Sequence, residues 1–328
     1  MFKQLVCTYA ALPLHRHGLI NGSLLVSCGI RQNLHIDSSA TGIFINLYTL
    51  LNARLDQKNI QTGHGSKDFG FSIYRMYVSV KLSDGLGNRF FQVAAMLGYA
   101  EKHGHTPVFV KEWVSDNRNH PGPTTIFDYF PSIPVLKEEG GWGKVNACDA
   151  FVYRSLPPCM KSNVCLSGYF QSVGYLPSYI QRPAILERSV LRSHAFLHVR
   201  RGDYLSPHHT HHCVDLEDYY RTALSLFDSD IRILVCSDDI EWCKNTLPQQ
   251  YCDIVDPRRW VFVNEDDVTT LGMMTACEYG GICANSTFSW WGAYWNTSPN
   301  KIICMPKTWG KPPMPQAKEL YLTDVVVL

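Results

Sequence analysis

The segment His198-Val199-Arg200-Arg201-Gly202-Asp203-Tyr204 places two adjacent arginines, a glycine and a carboxylate directly after the alternating apolar run Ser193-His194-Ala195-Phe196-Leu197. Residues of these types at a strand's end suit the binding of an anion. An arginine fork grips phosphate oxygens through two parallel charge-assisted hydrogen bonds. Gly202 lets the chain turn sharply, and Asp203 can fix an arginine or accept from a sugar hydroxyl. The alternative is a surface loop in which the Arg–Asp pair is only structural.

Two further segments share this logic. Gly85-Leu86-Gly87-Asn88-Arg89-Phe90-Phe91-Gln92 follows the alternating run Tyr77-Val78-Ser79-Val80-Lys81-Leu82, and Asn285-Ser286-Thr287-Phe288-Ser289-Trp290-Trp291 follows Ile282-Cys283-Ala284. Each reads as strand, polar turn, apolar helix, which sets backbone N–H groups or hydroxyls at a helix N-terminus where anions bind well. Together with Gly168-Tyr169-Phe170-Gln171-Ser172, these segments resemble the α-1,2-fucosyltransferase family, glycosyltransferase family eleven. That family carries a G-L-G-N-Q-x-F-Q start, an H-x-R-R-G-D-Y motif and an S-x-F-S-W-W motif in this order, with a block like the 168–172 run between the first two. The resemblance spans roughly residues 76–310. Arg89 departs from it, standing where the family usually has glutamine, while Asn88 is kept.

The resemblance implies an α/β fold of GT-B type, two Rossmann-like domains facing across a cleft. It implies an inverting transfer of fucose from GDP-fucose to a galactose hydroxyl of a glycan acceptor, a galactoside 2-α-L-fucosyltransferase that needs no metal cofactor. Carried over to this chain, Arg200 takes the β-phosphate and Asp203 joins it as a catalytic residue. The donor-binding set is His198, Asn88, Gly87, Ser237, Asp238, Asp239, Asn285, Ser286, Thr287 and Ser289. Asp238 or Asp239 would accept from the guanine N1–H and N2–H₂ edge; the alternative is a cap on a helix starting at Ile240. Asn88 would reach the fucose or the diphosphate from the opposing domain. Trp290 and Trp291 read as core or cleft wall rather than as a base-stacking platform. A base for the acceptor proton is open among Asp203, Glu217 and Asp218, the last two doubling as first-turn helix acids, and a reaction with no base is a further alternative. Other readings are a related transferase of different linkage or nucleotide sugar, and a non-catalytic glycan- or nucleotide-binding protein of the same fold. Retention of Arg200, Asp203 and Asn88 argues against the non-catalytic reading.

The composition restricts the partners. The formal net charge of this 328-residue chain is +1, and its 30 lysines and arginines form no long run, so nucleic acid is not an expected partner. An anion must be held by a local site. Twelve cysteines occur without a C-x-x-C pair. Cys236, Cys283 and Cys304 lie in apolar runs and read as small buried hydrophobes, and disulfides stay open among the others. Asp228-Ser229-Asp230 looks like a metal-binding D-x-D but precedes its strand, the wrong end for a ligand. His208-His209-Thr210-His211-His212-Cys213 reads as a solvated loop rather than a zinc site. No apolar run reaches membrane-spanning length, and no basic-then-apolar leader opens the chain. The expectation is cytoplasmic, with the Golgi lumen as the alternative known for animal members of the family. Of the N-x-S/T sequons at Asn21, Asn285 and Asn296, the second falls inside the expected phosphate turn.

These motifs must be positioned by alternating strands and helices. Residues 1–75 read as an extension without an assigned role, 76–190 as the acceptor-side α/β domain and 191–328 as the GDP-fucose-binding domain. Helices are expected over about residues 89–103, stopping at Gly104, and over 216–227 and 265–279. Strands are expected at 106–110, 231–236, 261–263, 282–284 and 301–305, with loops crowding 121–143. Such alternation implies parallel, doubly wound sheets that bind ligands off the carboxyl ends of their strands.

Overall fold

The computed structural model describes residues 75–114, 125–147, 151–159 and 162–328. The expected N-terminal extension lies outside these residues, Arg75 excepted, as does Asn21. Residues 72–328 form one compact unit. In chain order its main elements are β1 (Tyr77–Val80), α1 (Leu86–His103), β2 (Thr106–Pro107), β3 (Phe109–Val110), α2 (Ile126–Tyr129), β4 (Val135–Leu136), β5 (Trp142–Ala147) and β6 (Asn163–Gly168), followed by β7 (His194–Val199), α3 (Glu217–Leu224), β8 (Arg232–Ser237), α4 (Ile240–Gln250), β9 (Trp260–Val263), α5 (Asp267–Ala276), β10 (Gly280–Ile282), α6 (Thr287–Tyr294), β11 (Ile302–Met305) and β12 (Val326–Val327).

Two parallel sheets carry the fold. The first has strand order β2-β1-β6-β5 and the second β12-β11-β10-β7-β8-β9. Every pairing within them is parallel. Read from β9, the second sheet runs third, second, first, fourth, fifth, sixth in chain order, the dinucleotide-fold arrangement. Its order reverses between β7 and β10. In the first sheet β1 lies between β2 and β6, so the reversal falls between β1 and β6. Two Rossmann-like sheets in one unit are the GT-B architecture that the resemblance implies.

Local sequence explains the elements. Strands sandwiched by helices read as continuous apolar runs, and Ile233, Leu234, Val235 and Cys236 of β8 are all buried. Cys236, Cys283 and Cys304 are fully buried, as expected. Helix α1 ends at Gly104 in the left-handed region, φ 70°, whose N–H bonds the Ala100 carbonyl. Asp239 caps α4 by accepting from Trp242 N, and Asp266 caps α5 by accepting from Thr269 N. Several expected limits shift. Helix α1 starts three residues earlier than its apolar periodicity suggests, so Leu86, Gly87 and Asn88 form its first turn rather than a loop. The strand expected at 106–110 divides between two sheets. Strands β5 and β6 stand where loops were expected or nothing was assigned, and β12 adds a further edge. Among the described residues no helix is long and apolar enough to cross a membrane.

Helices α1 and α6 join the two halves. Phe90 packs edge-on to Trp291 at 5.7 Å and Phe91 lies 4.5 Å from Trp290. Trp290 and Trp291 are fully buried and are core. Their indole N–H groups donate to the carbonyls of Leu320 at 2.7 Å and Gly87 at 3.0 Å. At Gly87 the backbones nearly touch: a Cβ there would lie 2.5 Å from Phe288 N and from Thr287 C. Backbone atoms cannot rotate aside as a side chain can. Gly87→Ala is therefore expected to overpack the junction by about 1–3 kcal/mol, lowering the melting temperature by roughly 3–10 °C for a unit of this size. Thermal unfolding followed by circular dichroism checks this, and an unchanged midpoint would contradict so close an approach.

Candidate active site

The β7 strand delivers Arg200 to the point where the order of the second sheet reverses. The guanidinium is held from two sides. Nη2 donates to Asp203 Oδ1 at 2.7 Å, and Nη1 pairs with Asp238 Oδ2 at 3.0 Å. Asp238 Oδ1 accepts from the Arg201 backbone N–H at 2.9 Å, which ties the loop after β7 to the loop after β8. Gly202 makes this possible, because a Cβ on it would overlap the Asp238 carboxylate. Arg201 turns the other way. Its guanidinium sits 3.7 Å from the Trp242 ring centre and pairs with Asp239 Oδ2 at 3.1 Å. The Arg200 side chain is 17% exposed, enough to meet a ligand while its charge is only weakly screened by water. A guanidinium carries five N–H donors, so two carboxylate partners leave others for an incoming anion.

The loop after β10 forms the opposite wall. Tyr204 lies beneath Arg200, 5.6 Å from ring centre to guanidinium carbon, and its hydroxyl donates to the Asn285 carbonyl at 3.0 Å. Burial pushes the Tyr204 phenol up to about 12, so it stays a donor. Asn285 is buried and donates to the carbonyls of His212 at 2.8 Å and Trp309 at 3.0 Å. Its sequon is thus enclosed by protein. Ser286 caps α6 by accepting from Phe288 N. Thr287 Oγ1 donates to Asn88 Oδ1 at 2.9 Å, and Gln171 Nε2 donates to the same oxygen at 2.9 Å. One amide oxygen therefore joins the glycine-rich start, the 168–172 block and the serine-rich turn.

The remaining expected residues serve these walls. His198 Nδ1 shares a 2.9 Å hydrogen bond with Ser289 Oγ, which reaches the Ser286 carbonyl at 3.3 Å. Both residues are buried, so they brace the site from behind. Ser237 Oγ accepts from Asp239 N at 3.0 Å and shapes the turn after β8. Asp239 realises the helix-cap alternative, while Asp238 holds Arg200. Glu217 and Asp218 lie in the first turn of α3. Asp228 and Asp230 precede β8, at the strand end remote from Arg200. His209, His211 and His212 cluster ring against ring, but among the described residues no group of three or more His, Cys, Asp or Glu side chains is placed to hold a metal ion. Sequence reasoning assigned no role to Tyr204, Gln171 or Trp242. The first two sat inside the quoted motifs, whereas Trp242 gave no signal beyond its place three residues after the cap of α4.

Burial, with the Arg200 charge adding to it, lowers His198 to about 3. An unfolded histidine titrates near 6.5. The unfolded chain therefore binds the extra proton first as pH falls. Stability is fully present above about pH 6.5 and is lost toward pH 3, by up to about 1.4 kcal/mol per pH unit from this group. The His198 C2–H resonance should keep its neutral-ring shift at pH 5, where an exposed histidine is charged. Titration of that signal near pH 6.5 would contradict the buried, neutral assignment.

Comparison with known proteins identifies the family. The family model of glycosyl transferase family 11 matches residues 185–326. O-antigen biosynthesis glycosyltransferase WbnK of Escherichia coli is 31% identical over 195 residues, covering 49% of this chain and 61% of WbnK, so the match spans less than two thirds of that relative. An α-1,2-colitosyltransferase of Escherichia coli is 32% identical over 272 residues, covering 71% of this chain and 92% of that protein. Among solved structures, fucosyltransferase NodZ from Bradyrhizobium aligns with a TM-score of 0.39 and 14% identity over 66% of this chain and 92% of that one. A point mutant of Arabidopsis thaliana FUT1 in complex with GDP aligns with a TM-score of 0.42 and 10% identity over 81% of this chain and 79% of that one. With nearly the whole length of the colitosyltransferase matched and the family model covering the arginine and serine motifs, this chain belongs to glycosyltransferase family 11.

Proposed function

We propose that this glycosyltransferase moves fucose from GDP-fucose to the 2-hydroxyl of a galactose in a glycan acceptor, with inversion at the anomeric carbon and without a metal ion. The observation that carries the reading is Arg200 standing at the order reversal of a dinucleotide-type sheet, beside the N-terminus of α6. Departure of GDP leaves negative charge on the β-phosphate. A guanidinium already oriented by Asp203 and Asp238 meets that charge with little reorganisation. The amides opening α6 add donors on the same side. Asn88 contributes its amide N–H₂ toward the sugar or the diphosphate, its oxygen being engaged by Thr287 and Gln171. Asp203 presents its second carboxylate oxygen as acceptor for the proton of the attacking hydroxyl. The new C–O bond forms on the face opposite the leaving diphosphate. Each oxygen of Asp238 and Asp239 already accepts one bond, from Arg200, Arg201 or Trp242, so the guanine N1–H and N2–H₂ would be met by a remaining carboxylate lone pair. These protein groups supply the positive charge and donors for which other transferases use a cation.

The colitosyltransferase relative favours a second reading, an α-1,2 transfer of colitose. A donor screen separates the two. GDP-fucose, GDP-mannose, UDP-galactose and a colitose donor are offered with a β-galactoside, with and without excess EDTA, and the product linkage is read by NMR. The expected result is transfer from GDP-fucose to the 2-position, undiminished by EDTA. Transfer from the colitose donor alone would replace the donor. Loss of activity in EDTA with recovery on zinc or manganese would overturn the metal-independent mechanism.

A further inference from the structure

The first sheet has an order reversal of its own, between β1 and β6, and Asp84 and Tyr169, in the turns leaving those two strands, have no part in the donor site. Open parallel sheets bind ligands at such a point, off the carboxyl ends of the strands. β6 ends at Gly168, φ 152°, and Phe170 follows at φ 53°. A left-handed phenylalanine is a sparsely populated conformation. Here it sends the two neighbouring rings in opposite directions: Phe170 is fully buried, whereas Tyr169 is 46% exposed. After β1, Asp84 also lies in the left-handed region, φ 63°, and is exposed. Ser83 Oγ donates to Asp84 Oδ2 at 3.0 Å, and Arg89 Nε donates to the Asp84 carbonyl at 3.0 Å, so the loop is fixed. Gln92 Nε2 donates both to Ser83 Oγ at 3.3 Å and to the Gly168 carbonyl at 3.2 Å, so the loops carrying Asp84 and Tyr169 lie side by side, and burial, with the Asp84 carboxylate adding to it, raises the Tyr169 phenol. Asn88 is four residues beyond Asp84, and Gln171, two beyond Tyr169, bonds the Asn88 side chain at 2.9 Å. The exposed ring and carboxylate therefore border the amide that joins the two sheets.

We propose that Tyr169 and Asp84 form the binding subsite for the acceptor sugar, the ring stacking on the apolar C–H face of a β-galactoside and the carboxylate accepting from its hydroxyls. An aromatic face beside a carboxylate suits a pyranose, which offers C–H groups on one side and paired donors on its rim. The axial 4-hydroxyl of galactose leaves the C3–H, C4–H and C5–H face clear for the ring. This assignment rests on the glycosyl-transfer reading for its context, but the subsite can be tested without turnover.

The test is saturation-transfer NMR of methyl β-galactoside with the full chain and GDP, combined with kinetics. The wild type should transfer saturation most strongly to H3, H4 and H5 of the galactoside. Tyr169→Ala should abolish that pattern and raise the acceptor KM by about tenfold or more, equivalent to the loss of one good contact, while the GDP signal and donor KM stay as they were. Tyr169→Phe, which keeps the ring, should recover most of the lost affinity, and Asp84→Asn should weaken it less than Tyr169→Ala. Galactoside binding and acceptor KM that ignore Tyr169→Ala, or no galactoside binding to the wild type, would overturn the subsite even if GDP-fucose proves to be the donor. Galactoside binding that depends on Tyr169 without any transfer from GDP-fucose would leave the subsite standing and refute the donor.

Discussion

The close approach of α1 to the start of α6 governs the arrangement of this enzyme. Gly87 meets the backbone of Thr287 and Phe288 with no room for a side chain. The Asn88 amide oxygen then accepts from Thr287 and Gln171, and the Trp291 indole donates back to Gly87. These contacts bring the carboxyl ends of both sheets to one place. Each sheet supplies its own order reversal, and the two reversals border the Asn88–Thr287 contact. A site that must hold a donor on one side and an acceptor on the other gains from a junction that a shift of less than a methyl group would disturb.

Electrostatics within the second sheet depends on that frame. Arg200 lies between two carboxylates, one three residues ahead and one from the next strand, with a tyrosine ring beneath it. A long, flexible side chain is thereby set in one orientation, which is the condition under which charge stabilises a transition state more than a ground state. Behind it, His198 is held neutral by burial and braced on Ser289. The second arginine is consumed by Trp242 and Asp239. The adjacent arginines therefore differ in role: Arg200 faces the ligand edge, and Arg201 anchors the loop to α4.

Much of this was legible in the residues themselves. Alternation of buried strands and helices from 194 onward gave five of the six strands of the second sheet, all but the edge strand β12, with limits correct to within about three residues, because these strands are continuous apolar runs. The motifs around Arg200, Asn88 and Ser286 pointed to one site, and the chain brings them together. The first half was less readable. Strands β5 and β6 carry mixed polar residues, since β5 is an edge strand with one face half exposed, so their period is faint. The start of α1 was misjudged because Gly85 caps it without a side-chain hydrogen bond, and glycines normally mark a loop. Hydroxyls that pattern alone would aim at phosphate proved to be bound within the protein. Ser289 serves His198, and Thr287 serves Asn88. A one-dimensional motif shows which groups are near each other, while their hydrogen bonds depend on partners up to 204 residues away.

Arg200 is the proposed carrier of the charge of the departing diphosphate, and every other group in the donor site is arranged around it. Arg200→Lys keeps the charge and removes the fork, and because the side chain lies at the sheet's ligand edge the fold should persist. The decisive measurement is the transfer rate of this variant beside the wild type, with its circular dichroism and melting curve recorded in the same preparation. Loss of a charged hydrogen bond in a water-poor site is expected to cost roughly 3 kcal/mol, a fall of about a hundredfold. A folded variant that transfers at nearly the wild-type rate would show that the arginine is structural and would contradict the account.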